Sequence, residues 1–134
     1  MKKTNFRDYA VQAFRYYALC GRPTADQLHT LRNQAPEDMR GALEDLEAVH
    51  RVITHLRTAE LDGAIKLKTL EIVYMSNPWR YPGRNELTER ARAASSTLYT
   101  SESQVYRHLH RIRELLARER GLRLSDDPPP TFMT

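Results

Sequence analysis

The chain has 134 residues, 40% of them hydrophobic and 28% charged, with a mean hydropathy of −0.67; this suits one small domain or two helical lobes and excludes a large enzyme. No apolar run reaches the roughly 18 residues of a membrane span, and residues 1–8 lack the apolar segment of a signal peptide. The formal charge is +4 and the single cysteine, Cys20, forms no internal disulfide, so a disulfide-stapled secreted scaffold is excluded and a cytoplasmic setting is expected.

Residues 6–20 place Phe6, Tyr9, Ala10, Ala13, Tyr16, Tyr17 and Cys20 at the three-and-four spacing of one helix face. Thr4 or Asn5 is expected to cap its start, and Gly21 and Pro23 to end it. Cys20 reads as a small core residue on that face. Thr24 is the expected N-cap of a short helix reaching about Asn33. Pro36 then reads as a first helical residue, with Glu37 and Asp38 in the first turn, where anions suit the helix dipole.

Met39, Leu43, Leu46, Val49, Ile53 and Leu56 form a long apolar stripe, broadened by Ala42 and Val52. Its width favours a core-facing helix over a dimer seam, and a homodimer stays open as an assembly. A further helical run holds Leu61, Ile65, Leu67, Leu70, Ile72, Val73 and Tyr74, with Gly63 marking either a break or a weak point. Residues 76–84 carry two prolines and a glycine and read as a loop, in which Trp79 and Tyr81 are expected to anchor to the core, with stacking on a base or partner as the alternative.

After the loop, Leu87, Ala91, Ala94 and Leu98 mark one helix, and Val105, Leu109, Ile112 and Leu116 another, ended near Gly121. Asp127-Pro128-Pro129-Pro130 opens an extended tail over residues 125–134. No alternating strand pattern occurs, so the expected fold class is all-α, a helical bundle with a C-terminal helix-turn-helix. The expected organisation is an N-terminal helical region over 1–60, a DNA-binding region over 61–124, and the tail.

Charge divides unevenly along this layout. Residues 1–77 hold 11 Lys+Arg against 10 Asp+Glu, whereas residues 78–124 hold ten arginines against five glutamates. Arginine grips phosphate bidentately, and a local excess of this size points to a polyanionic partner. The junction Leu98-Tyr99-Thr100-Ser101 gives this charge a geometry. Ser95 is the small residue expected where the two helices cross, Ser101 caps the second helix, and Val105 and Leu109 face inward. On a wheel of about 100° per residue, the outward arc holds Ser103, Arg107, Arg111, Glu114 and Arg118, flanked by Gln104 and His110. Its N-terminal part offers groups that bond base edges, and its later arginines suit phosphates.

The residues from Ile65 to Met75, followed by Leu98-Tyr99-Thr100-Ser101-Glu102-Ser103-Gln104-Val105-Tyr106-Arg107, resemble region 4 of sigma-type factors. They resemble still more the sigma-like phage and prophage transcriptional regulators of the ArpU and RinA kind. The resemblance covers roughly residues 61–121 and implies a helix-turn-helix regulator acting on double-stranded DNA, with RNA polymerase as a further candidate partner. By matching positions it implies Ser103, Gln104, Arg107 and Arg111 as base or backbone contacts, beside the cap Ser101 and, from the wheel, His110 and Arg118. Three departures stand out: Tyr99 occupies the turn glycine, where a left-handed backbone would be strained, Thr100 replaces an apolar residue, and the Trp79–Arg84 loop with a longer first helix enlarges the family's spacing.

Signals for catalysis are weak. His50 and His55 lie about 140° apart on a helix, His108 and His110 face different directions, and no Gly-rich phosphate loop or metal motif occurs. No enzyme activity, cofactor, metal or membrane partner is expected. A small-terminase-like packaging protein and a helical protein-interaction module stay open as alternatives.

Overall fold

The computed structural model describes residues 6–122. The cap expected at Thr4 or Asn5 and the tail expected over 125–134 lie outside them. Helix α1 spans Phe6–Leu19 and buries Phe6, Ala10, Val11, Ala13, Phe14 and Tyr17. It ends where Gly21 turns left-handed at φ +84°, its N–H bonding the Ala18 carbonyl at 3.0 Å while the Arg22 N–H reaches Tyr17 at 3.0 Å. Cys20 is exposed, contrary to the helical-face reading, because α1 stops at Leu19 and leaves Cys20 in the turn.

Helix α2 (Ala25–Gln34) opens with a full capping box. The Gln27 N–H donates to the Thr24 hydroxyl at 3.2 Å, and the Thr24 N–H donates to the Gln27 side chain at 2.8 Å. Pro36 precedes a 3-10 turn, Glu37–Met39, which runs into α3 (Arg40–Thr58). The proline therefore stands one position ahead of the first helical residue. The α3 stripe is core: Leu43, Leu46, Val49, Val52, Ile53 and Leu56 are buried, while Met39 is exposed.

Helix α4 (Gly63–Val73) begins after a sharp reversal, with Asp62 at φ +55°. Gly63 is a break with a steric cause: a Cβ there would lie 1.8 Å from the Leu56 carbonyl oxygen, so only glycine lets the two backbones approach. The loop after α4 departs from expectation. Pro82 is buried, but Trp79 is 71% and Tyr81 44% exposed, so the proline anchors the loop and the aromatic rings face outward.

Helices α5 (Arg84–Thr97) and α6 (Glu102–Arg120) complete an all-α fold of six helices, with no strand among the described residues. Ala91 and Ala94 are fully buried on α5, whereas Ser95 is half-buried and bonds the Arg92 carbonyl at 2.7 Å. The small residues of the α5 packing face are thus the alanines, and Ser95 sits beside them. Arg90, also buried, donates to the Val73 carbonyl at 3.0 Å and to Glu86 at 2.6 Å, tying α5 to the end of α4.

Helix α6 packs against α1, α3, α4 and α5. Arg111 pairs with Glu60 just past the end of α3, and Arg120 pairs with Glu44 and Asp45 near its start, so the two helices run antiparallel. One apolar core joins residues on both sides of position 60. Fully buried Leu56, Leu70, Ile112 and Leu116 each contribute about 1.5–3 kcal/mol of transfer free energy there. The apolar faces of α1 and α3 pack within the chain.

Candidate nucleic-acid interface

The four residues between α5 and α6 set the geometry of the candidate site. The Thr100 N–H bonds the Ser95 carbonyl at 2.9 Å and the Tyr99 N–H bonds that of Ser96 at 3.4 Å. This pair of bonds is a Schellman cap, whose central residue takes the left-handed backbone. Gly21 and Gly121 fill that position after α1 and α6, at φ +84° and +65°. After α5 it is filled by Tyr99, at φ +55° and 96% exposed. The left-handed tyrosine considered from the sequence is therefore present.

Ser101 then caps α6, its hydroxyl accepting from the Gln104 N–H at 3.1 Å. Arg111 meets Glu60 just past the end of α3, so the first two turns of α6 lie beyond the Arg111–Glu60 pair, their inner face buried at Val105, His108 and Leu109. Ser101, Ser103 and Arg107 are exposed there, with Gln104 partly covered beside them. Val105, Leu109, Ile112 and Leu116 face inward, joined by buried His108, Leu115 and Ala117. Tyr106, which the wheel did not mark, is 46% exposed next to Arg107.

The outward arc does not continue unbroken along α6. Arg111 is half-buried, donating through Nε and a terminal nitrogen to the two Glu60 oxygens at 2.9 and 3.2 Å. The Glu60 side chain is 8% exposed and is also bonded by Lys66 and His55, each at 2.9 Å. These hydrogen bonds, led by Arg111, hold its carboxyl well below the usual carboxylate range against the opposing effect of burial. Arg111 is thus a strut between α6 and the α3–α4 turn. His110 stands 3.7 Å from Glu114, which also bonds Arg111.

Most of the remaining arginines of residues 78–124 are also engaged. Arg80 pairs with Glu86 at 2.7 Å, Arg92 with Glu89 and Glu102, Arg113 with the Tyr74 hydroxyl at 3.0 Å, and Arg120 with Glu44, Asp45 and Tyr9. Tyr9, desolvated and donating to Asp45, has its phenol pushed up to about 12. Among the described residues Arg84, Arg107 and Arg118 are exposed and have no acidic partner; Arg123 lies outside them.

The site thus combines an exposed, capped N-terminal end of α6, hydroxyl and amide groups on its first turn, and guanidinium groups at positions 84, 107 and 118. Such groups bond phosphate oxygens and base edges. His108 is buried, and desolvation lowers its pKa, with nearby Lys66 adding to the effect. No three His, Cys, Asp or Glu side chains among the described residues converge as a metal site requires. No helix among them is long and apolar enough to cross a membrane. Comparison with protein-family models, with curated proteins and with solved structures gives no match.

Proposed function

We propose that the chain is a sequence-specific DNA-binding transcriptional regulator of the sigma-like phage or prophage kind, with α5 and α6 as its helix-turn-helix. The observation that carries the reading is the exposed outer face at the N-terminal end of α6, where Ser103 and Gln104 lie beside Arg107, a guanidinium without an acidic partner. An α-helix end of this kind enters the major groove, with side chains of the first turns at base edges. Arg118, three turns along the same helix, and Arg84 at the start of α5 then grip phosphates. Arg111 acts from behind, holding α6 against α3 and α4. RNA polymerase is a second partner in this reading.

The test is a titration of labelled duplex DNA at several salt concentrations. The two phosphate-gripping arginines, Arg84 and Arg118, give a log–log slope of affinity against salt of about −2. An affinity that stays flat as salt rises would overturn the proposal. A second reading, a helical protein-interaction module, is favoured by exposed Trp79 and by the groove that Tyr81 lines with Asp8, Tyr9 and Gln12. It requires salt-insensitive binding to protein and no affinity for duplex DNA.

A further inference from the structure

Tyr99 combines two properties that oppose each other in an isolated chain. Its backbone is left-handed, which a Cβ disfavours, and its ring is 96% exposed, making no hydrogen bond or ring contact with the described residues. At the matching positions after α1 and α6 the chain uses glycine, so the fold needs no side chain in such a cap. The two cap hydrogen bonds hold this backbone, and Arg22, Asp62 and Asn77 share its left-handed φ, but no contact of the fold uses the Tyr99 ring, which points to a role outside the fold.

The surroundings indicate the chemistry of that role. Residues 93–101 contain no charged side chain and six hydroxyls, on Ser95, Ser96, Thr97, Tyr99, Thr100 and Ser101. Ser96, Thr97, Tyr99 and Ser101 are exposed, and Ser101 caps the helix that carries Gln104 and Arg107. Hydroxyl side chains at the border of a base-reading helix bond phosphate oxygens, and a phenol adds an apolar ring that packs on deoxyribose.

Resting on the DNA-binding reading above, we infer that Tyr99 is a contact to the sugar-phosphate backbone of the duplex, its hydroxyl donating to a phosphate oxygen beside the groove entered by α6. Its left-handed position holds the ring away from the protein. As a neutral backbone contact, Tyr99 strengthens binding to all sequences alike and leaves the salt slope unchanged.

The experiment compares wild type, Tyr99→Gly and Tyr99→Phe in urea unfolding and in titrations of a labelled random-sequence duplex of about 30 base pairs, roughly three helical turns. Tyr99→Gly relieves the strain and removes the ring. It is expected to unfold at higher urea, yet to bind the duplex about tenfold more weakly, as for loss of a hydrogen bond to a charged group. Tyr99→Phe is expected to keep the wild-type urea midpoint and to lose several-fold of the affinity, with an unchanged salt slope. If wild type binds and Tyr99→Gly binds equally well, the inference falls while the DNA-binding reading stands. It also falls if Tyr99→Gly unfolds at lower urea, since the residue would then be serving the fold. If wild type itself binds no duplex, both fall.

Discussion

Breaking the Glu60–Arg111 pair tests how α6 is held. Glu60→Gln removes the charge but keeps the size, leaving Arg111 and Lys66 facing a neutral amide that accepts only part of their hydrogen bonding. Disrupting a fully buried pair costs about 3–5 kcal/mol. Here the carboxylate is 8% exposed but the Arg111 side chain is 30% exposed, so solvent screens part of the loss and about 2 kcal/mol is expected. Arg111→Met leaves Glu60 with Lys66 and His55 and should cost about the same, keeping the packing of the stem. Because both variants remove one shared interaction, the double variant should cost less than their sum, with a coupling of about 1.5 kcal/mol. Urea unfolding at pH 7 followed by far-UV circular dichroism measures all four corners of the cycle. Single variants within about 0.5 kcal/mol of wild type, or strict additivity, would refute the strut.

Other perturbations follow from the same contacts. Gly63→Ala forces the α3 and α4 backbones apart at the 1.8 Å approach to Leu56 and should destabilise by about 3 kcal/mol or more; a urea midpoint equal to wild type would contradict this. Arg90→Ala should cost about 2 kcal/mol because Arg90 is buried and joins Glu86 to the Val73 carbonyl, whereas Arg80→Ala, at the exposed side of the same glutamate, should stay within about 0.5 kcal/mol. Folding lowers the pKa of buried His108, so acid favours the unfolded chain: the urea midpoint should fall as pH drops below about 6.5, and His108→Leu should flatten that decline. Glu60, depressed by its cationic partners, adds a second loss below about pH 4.3, which Glu60→Gln should abolish.

What could be read from residues alone was local. The α3 stripe, the Thr24 and Ser101 caps and the inward positions of α6 all depend on neighbours within a turn or two, which helical spacing exposes. The charge excess of residues 78–124 was real as a count but incomplete as a surface. Glu60 and the pair Glu44 and Asp45, on or beside α3, engage Arg111 and Arg120 across 51 and about 76 positions, and no local charge window sees them. Cys20 was misplaced because the helix ends one residue before it, and Trp79 because a buried proline, and not an aromatic ring, anchors the loop. Gly63 was ambiguous because its need lies in the path of the Leu56 backbone, a tertiary fact. Within the candidate site, Ser103, Gln104 and Arg107 were legible from the wheel and Ser101 from its capping position, whereas Tyr99 holds the left-handed turn although a tyrosine there reads as strained. The exposure of Tyr106 and the freedom of Arg84 required the packed helices.

The most direct measurement is a selection of bound sequences from randomised duplex DNA with wild type, Gln104→Ala, Arg107→Ala and Arg118→Ala, each first shown to fold by circular dichroism. Wild type should recover a defined site. Gln104→Ala and Arg107→Ala should each relax preference at particular base pairs, by about 1–3 kcal/mol of discrimination. Arg118→Ala should weaken all sequences nearly equally and keep the same preference. Recovery of no preferred sequence by wild type, or a larger change of preference in Arg118→Ala than in Arg107→Ala, would contradict base reading by the first turns of α6.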